Sequence, residues 1–397
     1  MKSRGTVLIS GASIAGPALA FWLHKFGFEV TVVEKSAGVR GGGYPIDLRG
    51  TAVEVAHRMG ILPQLQRAHI DTQRVTFLEA DGSRAAVVHP QAVAGGVDGH
   101  DLEVPRETLT NVLYTAVRDD VEFVFDDSVD ALTEYEHGVD VTFHSGAQRS
   151  FDLVVGADGL HSGTRTLAFG PEQNYLRYLG YCFAISTVPN TFGLAHEALI
   201  WNTPGRAAAL YAVGDSDDVH ALLTFAHSEP SHEALRDNET RRALISTIFG
   251  DDGWKVPDIV AAMRDSPDPF FDTVSQIRMP QWSTGRVALV GDAAYAPSFL
   301  TGQGSSLALV GAYMLAESLA AHDDHTTAFA AYERASRPFV ELNQSQIATG
   351  EAALFPTTAE ALQARNHRLR DLTMSAPATG RPAHTALTLP EVRRLAS

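Results

Sequence analysis

Val7-Leu8-Ile9-Ser10-Gly11-Ala12-Ser13-Ile14-Ala15-Gly16-Pro17 sets the architecture of this chain. An apolar run enters a glycine turn, and Pro17 falls in the first turn of a following helix, where no hydrogen-bonded N–H is needed. That helix is predicted from Pro17 to Phe26 and stops at Gly27, the usual place for a left-handed cap. Val30-Thr31-Val32-Val33-Glu34 then reads as a second strand, apolar without alternation and so suited to a parallel sheet covered on both faces. N–H groups left free at the helix start, with the helix dipole, favour a pyrophosphate. The common pattern for such a turn is G-x-G-x-x-G; here Ser13 takes the middle place, small and able to donate its hydroxyl to phosphate. Glu34 follows Gly11 by 23 residues, with Lys35 beside it. A carboxylate there accepts both ribose hydroxyls and disfavours a 2′-phosphate, which points to FAD or NAD as the resident nucleotide rather than NADP. The plain alternative for Glu34 is a solvated strand end. Gly11, Ser13, Ile14, Ala15, Gly16, Glu34 and Lys35 are therefore candidate cofactor-binding residues. A nucleophile elbow shares this strand–turn–helix shape, but its G-x-S-x-G pattern fails at Ala15.

Two further glycine turns repeat the pattern. Leu153-Val154-Val155 runs into Gly156-Ala157-Asp158-Gly159-Leu160-His161-Ser162-Gly163-Thr164-Arg165. Val287-Ala288-Leu289-Val290 runs into Gly291-Asp292-Ala293-Ala294, with Pro297 and Thr301-Gly302-Gln303-Gly304 close behind. Between these buried, parallel-type strands the pattern changes. Val75–Leu78 and Ala85–Val88, joined near Asp81-Gly82, predict a hairpin; Tyr181–Val188, Ala207–Val213 and His220–Phe225 predict further strands. Helices are expected near Gly50–Met59, at Arg106–Val117, near 231–249 and over about 305–320. Residues 326–372 read as mainly helical, and the Pro/Thr-rich end from 376 as loosely held. The distribution predicts an α/β fold: a Rossmann-like dinucleotide-binding domain built from separated segments (1–72, 99–172 and 281–345), an inserted, mainly antiparallel β-sheet substrate domain (73–98 and 173–280), and a helical C-terminus with a tail (346–397).

Length and charge narrow the partners. A chain of 397 residues can hold a large core, in one domain or two entwined ones. Its net charge of −16 repels phosphate backbones and anionic lipid, which argues against nucleic acid and membrane surfaces. One cysteine, Cys182, leaves no intrachain disulfide or multi-cysteine metal site and suits a cytoplasmic protein. The opening Met1-Lys2-Ser3-Arg4-Gly5 runs into an apolar stretch too short for a signal peptide, and no run reaches the ~18 uninterrupted apolar residues of a membrane span. His322-Asp323-Asp324-His325 spaces two histidines one helical turn apart, but between helical runs it reads as a solvated loop, and no metal site is assigned.

In order and spacing the three turns resemble the three motifs of the class A flavoprotein monooxygenases, the para-hydroxybenzoate hydroxylase-like family. Among these, the relatives without an extra C-terminal domain, such as the tetracycline-inactivating monooxygenases, are most similar. The resemblance covers the cofactor segments and not residues 173–280. It implies an enzyme that holds FAD non-covalently, is reduced by NADPH or NADH, and reacts with O2 to form a flavin C4a-hydroperoxide. That species would oxygenate an electron-rich carbon of an aromatic or polyketide-like small molecule. The resemblance further implies that Asp292 hydrogen-bonds the ribityl chain and that Pro297 lies near the isoalloxazine. The Gly302-Gln303-Gly304 loop would offer N–H groups to the pyrimidine side, where reduced flavin is anionic. Asp158 and Gly159 are implied near the pyrophosphate, in a segment linked to nicotinamide use. Arg106, in Val104-Pro105-Arg106-Glu107, matches an arginine that approaches FAD. Asp47, in Pro45-Ile46-Asp47-Leu48-Arg49, resembles a flavin-contacting aspartate of the tetracycline-inactivating relatives, and Arg40 would meet the reductant's phosphate. Arg165 has two readings, direct contact or a helix-start residue that packs the motif.

Since the cofactor carries the chemistry, no triad or metal is required and no catalytic residue is assigned. Tyr181, Phe183, Trp201, Tyr211 and Phe225 either line a pocket or fill the core, the commoner fate of aromatics on strands. Two other classes share these features: an FAD-dependent dehydrogenase or halogenase-like oxidoreductase, and a nucleotide-binding module without turnover. The halogenase Trp-x-Trp-x-Ile-Pro segment is missing, since Trp254 and Trp282 stand apart. Oligomeric state has no signature in the sequence.

Overall fold

The computed structural model describes residues 4–39, 41–42, 44–228, 237–266, 270–372, 374 and 379–391. The chain opens with β1 (Thr6–Ser10), α1 (Ala15–Lys25) and β2 (Glu29–Glu34). β3 (Pro45–Leu48), α2 (Thr51–Arg58) and α3 (Leu62–Arg67) lead to β4 (Arg74–Leu78), β5 (Arg84–Val88) and the short α4 (Pro90–Ala94). β6 (Leu102–Pro105) and α5 (Arg106–Thr115) come next, then β7 (Glu122–Phe125), β8 (Val129–Tyr135), β9 (Gly138–Phe143) and β10 (Gln148–Phe151). β11 (Leu153–Gly156) and α6 (Gly163–Phe169) carry the second glycine turn. The middle of the chain holds β12 (Leu176–Pro189), β13 (Glu197–Thr203), β14 (Arg206–Ala212), β15 (Asp218–Ala226), α7 (Asn238–Phe249), α8 (Val256–Asp265) and β16 (Phe270–Ile277). β17 (Ser283–Thr284), β18 (Val287–Leu289) and α9 (Asp292–Tyr295) form the third turn. Four helices follow: α10 (Gly304–Ala321), α11 (His325–Gln344), α12 (Ile347–Leu354) and α13 (Ala359–Arg370).

One sheet, ordered β17-β18-β11-β1-β2-β7, gathers strands from the early, middle and late chain, parallel throughout except for β17 against β18. Alternate residues of its central strands face two different layers. Val7, Ile9, Val30, Val32 and Val155 pack with Leu19 and Trp22 of α1 and Leu309 and Tyr313 of α10. Leu8, Val33 and Val154 pack instead on Val139, Val141, Phe143 and Phe151 of a small sheet ordered β10-β9-β8. Both faces being dry, the strands show no polar alternation. Helix α10, apolar around its circumference, is buried among α1, α2 and α11. It is the one helix among the described residues long and apolar enough to cross a membrane, and here it is a core helix.

The second large sheet is ordered β16-β12-β15-β14-β13-β4-β5, antiparallel except where β13 runs parallel to β4. The early hairpin β4–β5 thus joins strands more than a hundred residues later. Ile245 and Phe249 of α7 with Ile259 and Met263 of α8 cover Cys182, Leu223 and Phe225 on one part of this sheet. Leu369 of α13 covers Val75, Phe77 and Ile200.

Several details differ from the sequence expectation. α1 begins at Ala15 rather than Pro17, which draws Gly16 into the helix. β13, β16 and α8 lie where only loops were expected. Residues 379–391, expected to be loosely held, are docked. Arg381 N–H donates to Gly95 O (2.9 Å), Asn343 Nδ2 to Ala383 O (2.9 Å) and Tyr313 O–H to Pro390 O (2.9 Å). Composition misleads there because the segment's backbone groups, not its side chains, make those bonds.

Candidate functional site

The three glycine turns meet through their backbones. Gly11 N–H donates to Val33 O (2.7 Å), Ala157 N–H to Ser10 O (2.8 Å) and Val290 N–H to Gly156 O (2.9 Å). Gly11 has φ +108°, and a Cβ on it would stand 2.5 Å from Ala157 O. Gly16 is tighter: a Cβ would lie 1.9 Å from Gly11 O, so only glycine lets α1 start this close to the turn. A Cβ on Gly291 would be 3.0 Å from the Ala15 Cβ, which puts the third turn beside the start of α1. That helix start, with Ile14 at the cap, has neither a side-chain cap nor an acid in its first turn, so its dipole and N–H groups face an anion without competition. At the end of β2, Glu34 Oε2 accepts from Ala12 N–H (2.9 Å) and Oε1 from Ser36 N–H (3.0 Å), which fixes the carboxylate; Lys35 beside it is exposed.

Ser13, the departure from the common pattern, has a partner. Arg106 Nη2 donates to its hydroxyl oxygen at 2.7 Å, and the guanidinium also lies near Tyr44 and the carboxylate of Asp292. Burial raises the Asp292 carboxyl above its ordinary range, and Arg106 offsets part of that. A Cβ on Gly304 would be 3.8 Å from Asp292 Oδ1, and one on Gly302 would be 2.9 Å from Asp47 Oδ2. Asp47 accepts from Arg49 Nη2; burial raises its carboxyl too, against the lowering pull of Arg49. Gln303 is wholly buried: its Nε2 donates to Gly302 O (3.1 Å), and its Oε1 has no partner among the described residues. α10 likewise starts without a side-chain cap. Pro297 is buried, its carbonyl accepting from Gln276 Nε2 (2.9 Å). The next residue, Ser298, holds φ +77°, a left-handed conformation that non-glycine residues keep only where the surroundings impose it.

These features fit FAD. There are uncapped helix starts for its charged parts and a fixed carboxylate for a ribose. The glycines of the first turn pack where a Cβ would strike neighbouring backbone, and a buried amide oxygen has no partner among the described residues. Asp158 behaves differently: it accepts from Ser162 Oγ, Thr164 N–H (2.9 Å) and Thr164 Oγ1 (2.9 Å), so its carboxylate braces the turn into α6, with Gly159 at φ +85° beside it. Arg165, wholly buried, donates to Leu160 O (2.7 Å), Ala293 O (3.0 Å) and Glu172, which is the packing reading of that residue. Arg40 lies outside the described residues.

A second group centres on Glu103, which escaped the sequence, and Tyr211, which was read as either pocket or core. Glu103 on β6 stands opposite Asp47 in the β3–β6 register. Tyr211, on β14 of the seven-stranded sheet, donates its O–H to Glu103 Oε2 at 2.6 Å, and Thr72 Oγ1 meets the same phenol oxygen. Burial first and the Asp47 charge second raise the Glu103 carboxyl to about 7, and burial with the nearby Glu103 pushes the Tyr211 phenol up. The only local signal was a lone acid between the buried Leu102 and Val104. His161 forms another link, with Nδ1 2.9 Å from Glu172 Oε1 and Nε2 3.3 Å from Asp272 Oδ1 on β16. Asp272 and then Glu172 raise its imidazole to about 10.

Residues 4–345 match the FAD binding domain family. A flavin-dependent monooxygenase from an unknown prokaryotic organism is 37% identical over 364 residues, covering 91% of this chain and 94% of its own length. The uncharacterized protein Rv1260 of Mycobacterium tuberculosis (strain ATCC 25618 / H37Rv) is 43% identical over 341 residues, 85% of this chain and 91% of that protein. Among solved structures, the tetracycline destructase Tet(55) superposes with a TM-score of 0.84 at 35% identity, covering 98% of this chain and 99% of the other.

Proposed function

The chain belongs to the FAD binding domain family, among the class A FAD-dependent monooxygenases, and from that premise we propose that it uses NADPH or NADH and O2 to oxygenate an aromatic or polyketide-like small molecule. The observation that carries the proposal is the meeting of three glycine turns, with Gln303 on the loop after the third holding a buried Oε1 that has no partner among the described residues. In this proposal the start of α1 seats the pyrophosphate, with Ser13 and Arg106 beside it, and Glu34 holds the adenosine ribose. Asp292 holds the ribityl chain, and Asp47, Pro297 and the Gly302–Gly304 loop surround the flavin ring. Bound there, FAD supplies hydride acceptance and activation of O2. The start of α10 stabilises negative charge on the pyrimidine side through its N–H groups and dipole.

Glu103 and Tyr211 handle the proton. A substrate hydroxyl gives its proton to the Tyr211 oxygen as Tyr211 O–H passes its own to Glu103, leaving an electron-rich oxyanion on the substrate; a carboxyl near 7 is poised for that exchange at neutral pH. Similarity to a tetracycline destructase supports a polycyclic, enolised or phenolic substrate. Cytoplasmic residence is part of the proposal and agrees with the free, buried thiol of Cys182.

The test is turnover under isotopically heavy O2 with purified, FAD-loaded protein, NADPH or NADH, and a panel of phenolic and tetracycline-like compounds. Nucleotide oxidation accelerated by a substrate, with one heavy oxygen atom in the product, is expected. Substrate oxidation with no heavy oxygen incorporated would instead identify a dehydrogenase.

A further inference from the structure

A cleft of about 350 Å3, bordered by Ala294 and Tyr295 on the far end of the third glycine turn, opens between the ends of β12 and β16, α9 and α11. Three guanidinium groups line it: Arg177 on β12, Arg278 just after β16, and Arg337 on α11. Arg337 has carboxylate partners in Glu333 and Glu341, and lies over the Trp282 ring, 4.6 Å from its centroid. The other two are poorly compensated. Arg278 donates Nε to the neutral Gln276 Oε1 at 3.0 Å; burial and the neighbouring Arg177 lower its pKa, with Glu341 the opposing influence. Arg177 is exposed, and its side chain makes no hydrogen bond or ion pair among the described residues.

Two cations that repel each other across an open cleft are unfavourable unless an anion joins them. The chain carries a net charge of −16, so its surface as a whole repels anions and offers no general reason to gather arginines. Guanidinium forks match the oxygens of a phosphate, and two forks can grip one phosphate from different sides. The volume is within the range of small-molecule sites, larger than a bare ion needs. We propose that this cleft is a binding site for a phosphate-bearing ligand, gripped by Arg177 and Arg278 with Arg337 as the third cation. Its occupancy bears on the neighbouring loop, because Gln276, which accepts from Arg278, donates its Nε2 to the carbonyl of Pro297 (2.9 Å). Among the described residues Glu341 is the one carboxylate lining the cleft, and it weakens anion binding.

The proposal is independent of turnover and is tested by calorimetric titration of the FAD-loaded protein, at constant ionic strength, with inorganic phosphate, NADP+ and NAD+. Phosphate is expected to bind the wild type, about 10-fold more weakly in Arg177→Gln and in Arg278→Gln, and a few-fold more tightly in Glu341→Gln. If the natural source is a nicotinamide nucleotide, NADP+ binds more tightly than phosphate and shifts in the same direction in all three variants. If the source is free phosphate, only the phosphate affinities shift. No phosphate binding to the wild type, or affinities unchanged in the exposed Arg177→Gln and Glu341→Gln variants, overturns the proposal.

Discussion

The glycine-turn half and the seven-stranded-sheet half of this molecule are joined by different means. Within the first, the three turns meet through backbone groups: Gly11 to Val33, Ala157 to Ser10, Val290 to Gly156. Between the halves, side chains carry most of the links at the site, Tyr211 to Glu103, His161 to Asp272 and Gln276 to the Pro297 carbonyl, beside one backbone bond from Ile277 N–H to Ala296 O (3.1 Å). A backbone contact at van der Waals limits demands glycine at a fixed place, so it leaves a mark in the sequence. A side-chain link across the boundary demands only that two distant residues be compatible, and it leaves none. The cofactor half is therefore built on a fixed frame, while the half proposed to choose the substrate can change one pair at a time.

The harshest way to break that frame is Gly16→Val. Its Cβ would fall 1.9 Å from Gly11 O, a backbone atom that cannot move without shifting the first turn against Ala157. We expect the variant to purify without flavin and to bind added FAD at least about 100-fold more weakly, a loss of about 3 kcal/mol, the size of a severe local backbone distortion. Flavin absorbance per protein after gel filtration measures this, with circular dichroism to check that the helices persist. Retention of full flavin would mean that the turn has slack and that the frame is not fixed by glycine.

The same contrast governs what could be read from the sequence. The three turns, their order and the α/β class were legible, because each depends on local strand–turn–helix chemistry. Asp47, Arg106, Asp292 and the Gly302–Gly304 loop entered as site residues only through the resemblance, and the structure places them near one another. β13 and β16 were not: Glu197–Thr203 mixes acidic and apolar residues, and Phe270–Ile277 gains its strand partners only from β12. Glu103 was invisible as a functional candidate because its meaning comes from register, opposite Asp47, and from a tyrosine on another sheet. Asp158 was legible as a motif residue but not in its bonding: the serine and the threonine after it, Ser162 and Thr164, already supply its partners.

Glu103→Gln probes the boundary at moderate strength. The glutamine keeps the shape and can still meet Tyr211, so flavin content should be unchanged, but it takes no proton. Wild-type kcat/KM should rise as pH passes about 7, where the carboxyl ionises. In the variant that step should vanish, with a loss of about 10-fold or more on the alkaline side. A pH–rate profile of wild type and variant on the same substrate decides it. A step near 7 that survives the substitution assigns the proton to another group.

The gentlest test of the same boundary is His161, which ties the second glycine turn to β16 of the other half. Asp272 and Glu172 hold its ring protonated up to about 10, from an ordinary 6.5. A group whose pKa is raised on folding binds its proton more tightly in the native state, so its stabilisation is complete below about pH 6.5 and is lost as pH climbs through about 10. The ring is 49% exposed, so solvent screening keeps the contribution to about 1 kcal/mol or less, roughly one to two degrees in Tm for a chain this long. His161→Asn should therefore melt below the wild type at about pH 6 and converge with it near pH 10.5, with the gap at the lower pH narrowing in high salt. A gap that is insensitive to salt and persists at the higher pH would make the link a neutral hydrogen bond. The second turn would then be coupled to the seven-stranded sheet by shape rather than by charge.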